Sequence, residues 1–114
     1  MISLYGIQNC DSVRKARKSL EMRGIAYEFI DFKSTPADEA TIRRWLAHTD
    51  LKTLFNTRST TYRNLKLKAA DLSDQEKIEW LAKENMLIKR PVLVTEEKVI
   101  IGYNESTYMN LTHT

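Results

Sequence analysis

The chain has 114 residues, 42% of them hydrophobic and 29% charged, with a formal net charge of +3. This composition predicts one globular domain, 1–114, and the mild charge does not indicate nucleic-acid binding, which usually needs a concentrated basic face. A single cysteine excludes an intrachain disulfide, and the two separated histidines lack the spacing of a metal site. No apolar run approaches the roughly 20 residues that span a bilayer, and no signal peptide is evident, so we expect a cytoplasmic protein.

The first part of the chain is typical of a strand, a helix and a second strand. The apolar run 2–6 predicts the first strand, and the alternation over 26–32 predicts the second. Between them, a helix over 12–23 is indicated by apolar residues at helical spacing: Val13, Ala16, Leu20. Gly24 is typical of the residue that ends a helix. A strand-helix-strand unit of this length predicts that the two strands are parallel.

The middle of the chain predicts helices. Thr35 and Pro36 are typical of an N-cap and a first helical residue, and this helix is expected to end near His48. A later helix is indicated by the capping box that runs from Ser73 to Glu76. We therefore expect a helical insertion over approximately 36–85.

The last part of the chain predicts a hairpin and a helix. Two apolar runs, 92–94 and 99–101, flank a short charged turn. Asn104 is a candidate N-cap for a final helix that ends near Leu111. The order β-α-β, helical insertion, β-β-α predicts an α/β protein with a mixed four-stranded sheet, which is the thioredoxin-like plan.

Cys10 follows the first predicted strand and directly precedes the first predicted helix. The first N–H groups of a helix lack acceptors within it, and the helix dipole favours an anion there, so this position favours the reactive thiolate form of a cysteine. The alternative is a small buried hydrophobic residue. A helix end contributes only about 0.3–1 kcal/mol, less than one pKa unit, whereas a nearby arginine contributes about one to three units. Nearby cations should therefore decide the reactivity of this thiol.

Three arginines are candidates for that role. Arg14 lies one helical turn after Cys10. The carboxylate of Asp11, next to Cys10, disfavours the thiolate unless its side chain turns away to cap the helix. Arg58 lies in the hydroxyl-rich segment 56–61, which we predict to be a loop suited to anion contacts. Each of the two has an alternative interpretation as a solvated surface residue.

Arg90 is the third candidate and directly precedes Pro91. In a thioredoxin-like plan, the proline before the third strand is expected to be cis and to bring its neighbour towards the cysteine loop. Cis bonds occur in only about 5–6% of X-Pro pairs, so this expectation depends on the fold.

Three segments together resemble the ArsC family, which spans arsenate reductases, Spx-type regulators and YffB-like proteins: YGIQNCDSVRKA at 5–16, NTR at 56–58 and KRPVLV at 89–94. The resemblance covers nearly the whole chain and is nearest to the YffB-like branch. It implies a thioredoxin-like fold with a helical insertion and a thiol chemistry linked to glutathione or glutaredoxin. It also implies that Cys10 is the nucleophile and that Arg58 and Arg90 stabilise the thiolate and hold an anion. The resemblance further implies a set of substrate-binding residues: Asn9, Arg14, Pro91.

The chain departs from the better-known branches of this family at three positions. Gly102 stands where glutaredoxin-coupled arsenate reductases carry a third arginine, which disfavours arsenate reduction because charge-assisted bonds are the strong ones. Gly6 stands where those enzymes have a histidine, and Val13 stands where Spx-type regulators have a second cysteine. An internal disulfide switch is therefore excluded.

These observations predict an enzyme, a cytosolic glutathione-linked thiol oxidoreductase that uses Cys10, binds no resident cofactor and takes glutathione as co-substrate. A small thiol or oxyanion substrate and a glutaredoxin partner are also compatible with the resemblance. The alternative is a non-catalytic Spx-like adaptor that binds RNA polymerase or another protein through the basic stretch 58–68, with Tyr62 and Phe55. Direct nucleic-acid binding is not expected, because the aromatic residues do not alternate with the basic ones.

Overall fold

The computed structural model describes residues 2–111. These residues form two compact units, one from 2–35 with 90–111 and the other from Pro36–Lys89. We call them the α/β unit and the helical unit. Within residues 2–111, no helix is both long enough and apolar enough to cross a membrane. The single domain over 1–114, with its insertion at approximately 36–85, stays a prediction.

The α/β unit contains a mixed four-stranded sheet with the strand order β2-β1-β3-β4. Its strands are β1 (Ile2–Gly6), β2 (Tyr27–Asp31), β3 (Val92–Val94) and β4 (Val99–Ile101). β1 and β2 are parallel, β1 and β3 are antiparallel with Tyr5 opposite Val92, and β3 and β4 are antiparallel with Val92 opposite Ile101. The predicted α/β fold, with its thioredoxin-like mixed sheet, is confirmed.

The described residues form α-helices of very different lengths: α1 (Asp11–Met22), α2 (Glu39–Leu46), α3 (Leu51–Leu54), α4 (Thr60–Asn64), α5 (Asp74–Lys83) and α6 (Glu105–Met109). Two short 3-10 helices, Leu67–Ala70 and Asn85–Leu87, lie in the helical unit. α1 and α6 belong to the α/β unit, where α1 connects the parallel strands β1 and β2 as predicted.

The core of the α/β unit forms because alternate residues of β1 and the apolar stripe of α1 meet. Ile2 and Leu4 of β1 pack in one cluster with Ala16 and Leu20 of α1, and Leu93 of β3 joins them. Burying each large aliphatic side chain contributes about 1.5–3 kcal/mol. α1 ends as the sequence predicts, just before Gly24, whose φ of +66° is in the left-handed region that favours glycine.

Two helix boundaries differ from the predictions. α2 begins at Glu39 rather than at Pro36, because the side chain of Asp38 caps it by accepting a hydrogen bond from the Thr41 N–H at 2.9 Å. The preceding residue, Ala37, is instead held by the buried side chain of Asn85, which accepts from the Ala37 N–H at 2.8 Å. The final helix is capped by Asn104 as predicted, but it ends at Met109, two residues before Leu111.

The segment between α2 and α5 contains short helices that the sequence analysis does not predict. α3 and α4 each begin at a capping side chain, Asp50 bonded to the Thr53 N–H and Ser59 bonded to the Tyr62 N–H. The predicted loop over 56–61 is therefore wrong from Thr60 onwards, where α4 begins. The predicted capping box at Ser73 is confirmed at the start of α5.

Candidate active site

Cys10 is the N-cap residue of α1, as the sequence predicts. Its backbone is extended, with φ −130° and ψ 123°, and its side chain makes no capping hydrogen bond. Its carbonyl oxygen accepts the first hydrogen bond of the helix, from the Arg14 N–H at 3.0 Å. The residue is half-buried, whereas the preceding Gln8 and Asn9 are exposed. Cys10 is therefore not fully enclosed, and it directly precedes the unsatisfied N–H groups of the first helical turn.

The loop that carries Cys10 is fixed at its start by two close contacts. The carbonyl oxygen of Gly6, the last residue of β1, accepts a hydrogen bond from the Phe32 N–H at 2.9 Å. Gly6 also packs so tightly against α1 that a Cβ atom added to it would lie 2.6 Å from Cγ2 of Val13. Ile7 is buried, with 8% of its surface exposed. Together these contacts position the short loop from β1 to the helix.

The Arg90–Pro91 peptide bond is cis, as predicted. Pro91 is buried, and its carbonyl oxygen accepts a hydrogen bond from the Gly102 N–H at 2.8 Å. Because β3 runs antiparallel to β1 with Val92 opposite Tyr5, Pro91 lies at the end of the sheet where β1 leads into the cysteine loop. The α/β unit therefore brings Cys10, Asn9 and the Arg90–Pro91 pair to the same end of its sheet.

Gly102, which follows β4, lies at this end of the sheet too. It is buried and has a φ of +78°, a left-handed conformation that favours glycine over residues with a side chain. The position that would carry the third arginine of an arsenate reductase thus has a backbone suited to glycine.

Arg14 is paired with Asp11. Its Nη1 donates to Oδ1 of Asp11 at 2.7 Å, and both side chains are exposed. The negative charge of Asp11 beside Cys10 is therefore paired with the positive charge of Arg14, one turn along the helix. The substrate-binding role of Arg14 stays a prediction.

Arg58 belongs to the helical unit, in a short loop before α4. It is exposed, and its backbone N–H donates to Oδ1 of Asn56 at 3.1 Å. Its role beside Cys10 stays a prediction. Phe55 is only 6% exposed and packs edge-to-face against Tyr62, with ring centroids 5.9 Å apart, so the predicted contribution of Phe55 to a protein-binding surface is wrong.

The sequence analysis does not predict the contact between Gly6 and Val13, because the two residues lie on different elements. The available signal is a glycine at the end of a strand, which often marks a close approach of another part of the chain. Within residues 2–111, no group of three or more His, Cys, Asp or Glu side chains is arranged to hold a metal ion.

Several proteins of known sequence are similar to this chain over nearly its full length. An uncharacterized protein of Haemophilus influenzae is 36% identical over 109 residues, which cover 95% of this chain and 96% of that protein. A protein named global transcriptional regulator Spx, from Listeria innocua, is 34% identical over 92% of this chain and 82% of its own length.

Several solved structures are also similar to this chain over nearly its full length. The structure of the YFFB protein has a TM-score of 0.89 and 35% identity, covering 96% of both chains. A possible arsenate reductase of Streptococcus mutans has a TM-score of 0.78 and 40% identity, covering 90% of this chain and 91% of that one. The sequence pattern of the ArsC family matches residues 5–111. The chain therefore belongs to the ArsC family.

Proposed function

We propose that this protein is a thiol oxidoreductase in which Cys10 is the nucleophile and glutathione is the co-substrate. The observation that carries the proposal is the position of Cys10 as the N-cap of α1, with a side chain that no capping hydrogen bond occupies. A thiolate at that position is stabilised by the N–H groups of the first turn and by the helix dipole.

The proposed reaction uses one protein thiol, that of Cys10. The Cys10 thiolate attacks the glutathione sulfur of a mixed disulfide, that S–S bond breaks, and the substrate leaves as a thiol after taking a proton from solvent. Cys10 then carries glutathione in a new disulfide. A reduced glutathione attacks the glutathione sulfur of this adduct and releases oxidised glutathione and the Cys10 thiolate. Over one cycle the mixed disulfide gains two electrons, which come from glutathione.

An external thiol must resolve the adduct, because the position of a second cysteine is occupied by Val13. This side chain is fully buried against Gly6. In our proposal glutathione itself, or a glutaredoxin, is the resolving thiol. Dependence on this pool fits a reducing compartment, and we propose the cytoplasm.

The arginines supply the charge that a helix end alone does not. We assign Arg90 and Arg58 to stabilisation of the thiolate and to binding of carboxylates, with Asn9, Arg14 and Pro91 contributing to the substrate site. Arg90 is supported by its place beside cis-Pro91, at the end of the sheet where the cysteine loop begins. Arsenate is a poorer substrate in this proposal, because Gly102 removes one cation from the anion site.

The proposal is tested by intact mass after incubation with oxidised glutathione, and by turnover of a glutathionylated peptide. We expect one glutathione adduct on the wild type, none on Cys10→Ser, and peptide reduction that requires Cys10. Absence of an adduct on the wild type would refute the proposal.

The arginine roles need matched controls. Arg58→Ala and Arg90→Lys should slow adduct formation about tenfold, which corresponds to about 1.4 kcal/mol. Arg63→Ala and Lys89→Gln remove exposed cations of the same neighbourhoods and should leave the rate unchanged. Equal rates of adduct formation in all four variants would show that neither Arg58 nor Arg90 contributes to the reaction.

A second candidate function is a non-catalytic adaptor. It is supported by the 34% identity to a protein named global transcriptional regulator Spx. The basic stretch 58–68, with the partly exposed Tyr62, would be its contact surface. Binding to purified RNA polymerase that is retained by Cys10→Ser and lost by a charge reversal at Arg63 would support the adaptor. Capture of a partner only through Cys10 would support the enzyme.

A further inference from the structure

The helical unit contains a cleft of about 710 Å³, which we call the helical cleft. This volume lies in the range of about 300–1,000 Å³ that is typical of sites for small molecules. Its apolar lining comes from α3, from the residues around α4 and from the chain before α5: Leu51, Phe55, Tyr62, Leu67, Leu72. The partly exposed ring of Tyr62 gives it an aromatic face, and the buried Phe55 packs edge-to-face behind this ring. Such a lining suits the flat or aliphatic body of an organic molecule.

The lining carries three basic and two acidic side chains. Lys52, Lys68 and Lys77 contribute to the cleft, against Asp71 and Asp74. The two lysines that residues 51–70 contribute to the lining, Lys52 and Lys68, have no acidic residue beside them in that stretch, and both aspartates come from the chain after it. A cleft with an apolar base and two lysines on one part of its lining is complementary to a molecule that joins an apolar body to an acidic group.

The backbone that forms one wall is held in an uncommon conformation. The 3-10 helix Leu67–Ala70 is preceded by Lys66 at φ 55° and followed by Asp71 at φ 49°. Left-handed conformations of residues other than glycine are uncommon, and they persist where the surrounding structure fixes them. Leu67 is buried within this segment, and Leu67 and Lys68 both line the cleft.

We propose that the helical cleft binds a small organic anion that has an aromatic or aliphatic body and one carboxylate, sulfonate or phosphate group. In this site the body lies against Tyr62 and the apolar lining, and the anionic group pairs with Lys52 and Lys68. No step of this inference uses Cys10, so the variant Cys10→Ser is expected to bind as the wild type does.

A pair of probes that differ in one group tests the inference. 8-Anilinonaphthalene-1-sulfonate carries an aromatic body and a sulfonate, and N-phenyl-1-naphthylamine is the same body without the charge. Fluorescence titration of the full chain should give saturable binding of both, with the sulfonate at least about tenfold tighter, equivalent to about 1.4 kcal/mol. Amide chemical shifts should change at Lys52, at Thr57 and across 67–72.

Three variants locate the site. The double variant Lys52→Gln with Lys68→Gln should weaken the sulfonate probe about tenfold and leave the neutral probe unchanged. Leu72→Trp, which fills the cleft, should weaken both probes. Lys83→Gln is the matched control, because Lys83 is an exposed lysine of the same unit that packs on Trp80 and does not line the cleft.

Three results would overturn the inference. The first is equal affinity for the two probes, and the second is an affinity for the sulfonate probe that neither Leu72→Trp nor the double lysine variant changes. The third is probe fluorescence that appears only when near-ultraviolet circular dichroism shows a loss of tertiary structure. The same spectra verify that each variant is folded.

Discussion

Gly6 and Val13 are packed so closely that residue 6 has no room for a side chain. A Cβ atom on Gly6 would lie 2.6 Å from Cγ2 and 3.3 Å from Cγ1 of Val13, whereas carbon atoms in favourable contact are about 3.5–4.0 Å apart. This contact joins the end of β1 to the first turn of α1, and the loop between them carries Cys10. A larger side chain at residue 6, such as histidine, would collide with Val13 in this arrangement.

We expect Gly6→Ala to lower the free energy of unfolding by about 1–3 kcal/mol, because the new methyl group overpacks the contact. In the background of Val13→Ala the two closest contacts are absent, and the Cβ of residue 13 lies at the ordinary distance of 3.6 Å from the new methyl. A double-mutant cycle measured by urea unfolding should therefore give a coupling of at least about 1 kcal/mol. Simple additivity would show that this contact does not restrict residue 6.

Arg23 should stabilise the C-terminal turn of the α/β unit. Its guanidinium donates hydrogen bonds to the carbonyl oxygens of Tyr108 and Leu111, the latter at 2.8 Å. Hydrogen bonds from a charged group contribute about 1.5–3 kcal/mol, so Arg23→Ala should lower the free energy of unfolding by that amount. Hydrogen exchange of the amides of α6 should become faster as well.

The control for this prediction is Arg43→Ala, which removes two exposed contacts, an ion pair with Glu39 and a hydrogen bond that Arg43 donates to Gln75. Exposed pairs contribute about 0–1 kcal/mol. An equal effect of the two substitutions would mean that the contacts of Arg23 have no special role.

Asn85 connects the start of the helical unit to its C-terminal part. Its buried amide accepts from the Ala37 N–H and donates to the carbonyl oxygens of Ala37 and Leu81, at 3.1 and 2.9 Å. Asn85→Asp at pH 7 places a carboxylate against those two carbonyl oxygens and should destabilise the fold by at least about 2 kcal/mol. Acidification protonates the carboxylate and should recover part of the loss, measured by thermal unfolding at pH 7 and pH 4. An Asp variant as stable as the wild type at pH 7 would contradict the assignment of the donors.

We predict that the buried phenol of Tyr108 lowers the free energy of unfolding at alkaline pH. Among the described residues its buried hydroxyl has no hydrogen-bond partner, and burial, with a smaller effect of Tyr103, raises the pKa of Tyr108 above its ordinary value of 10.0. The unfolded chain therefore releases this proton near pH 10 while the folded protein keeps it. Above pH 10 this residue should lower stability by up to about 1.4 kcal/mol per pH unit.

Tyr108→Phe removes that loss and leaves the ring in the core. At pH 7 the variant should be as stable as the wild type or more stable by about 1 kcal/mol, and its advantage should grow above pH 10. Urea unfolding of both proteins at pH 7 and pH 10.5 provides the comparison. A destabilised variant, with a difference independent of pH, would show that the hydroxyl has a partner.

The elements with two agreeing signals were predictable from the sequence. β1, α1 and the hairpin combine an apolar pattern with a glycine, a proline or a turn at the boundary, and their bounds agree with the structure to within one residue. The start of α2 was not predictable, because Thr35 and Pro36 present the same type of cap signal as Asp38. In the structure Asp38 forms the cap, and the distant side chain of Asn85 holds Ala37 outside the helix.

Helices of one turn were not predictable either. α3 and α4 are too short for an apolar period, and isolated helices of this length do not form without tertiary support. At the candidate site, the N-cap position of Cys10 and the cis bond before Pro91 followed from the order of the elements. The contact between Gly6 and Val13 and the ion pair of Arg14 with Asp11 did not, because side-chain packing and pairing depend on three-dimensional positions.

The central claim is that Cys10 is an activated nucleophile. The most direct test is the second-order rate constant for its reaction with oxidised glutathione at pH 7, followed by intact mass and compared with N-acetylcysteine under the same conditions. The account predicts that Cys10 reacts at least about tenfold faster than the model thiol, equivalent to about 1.4 kcal/mol in the barrier. A rate equal to or below that of N-acetylcysteine would contradict it.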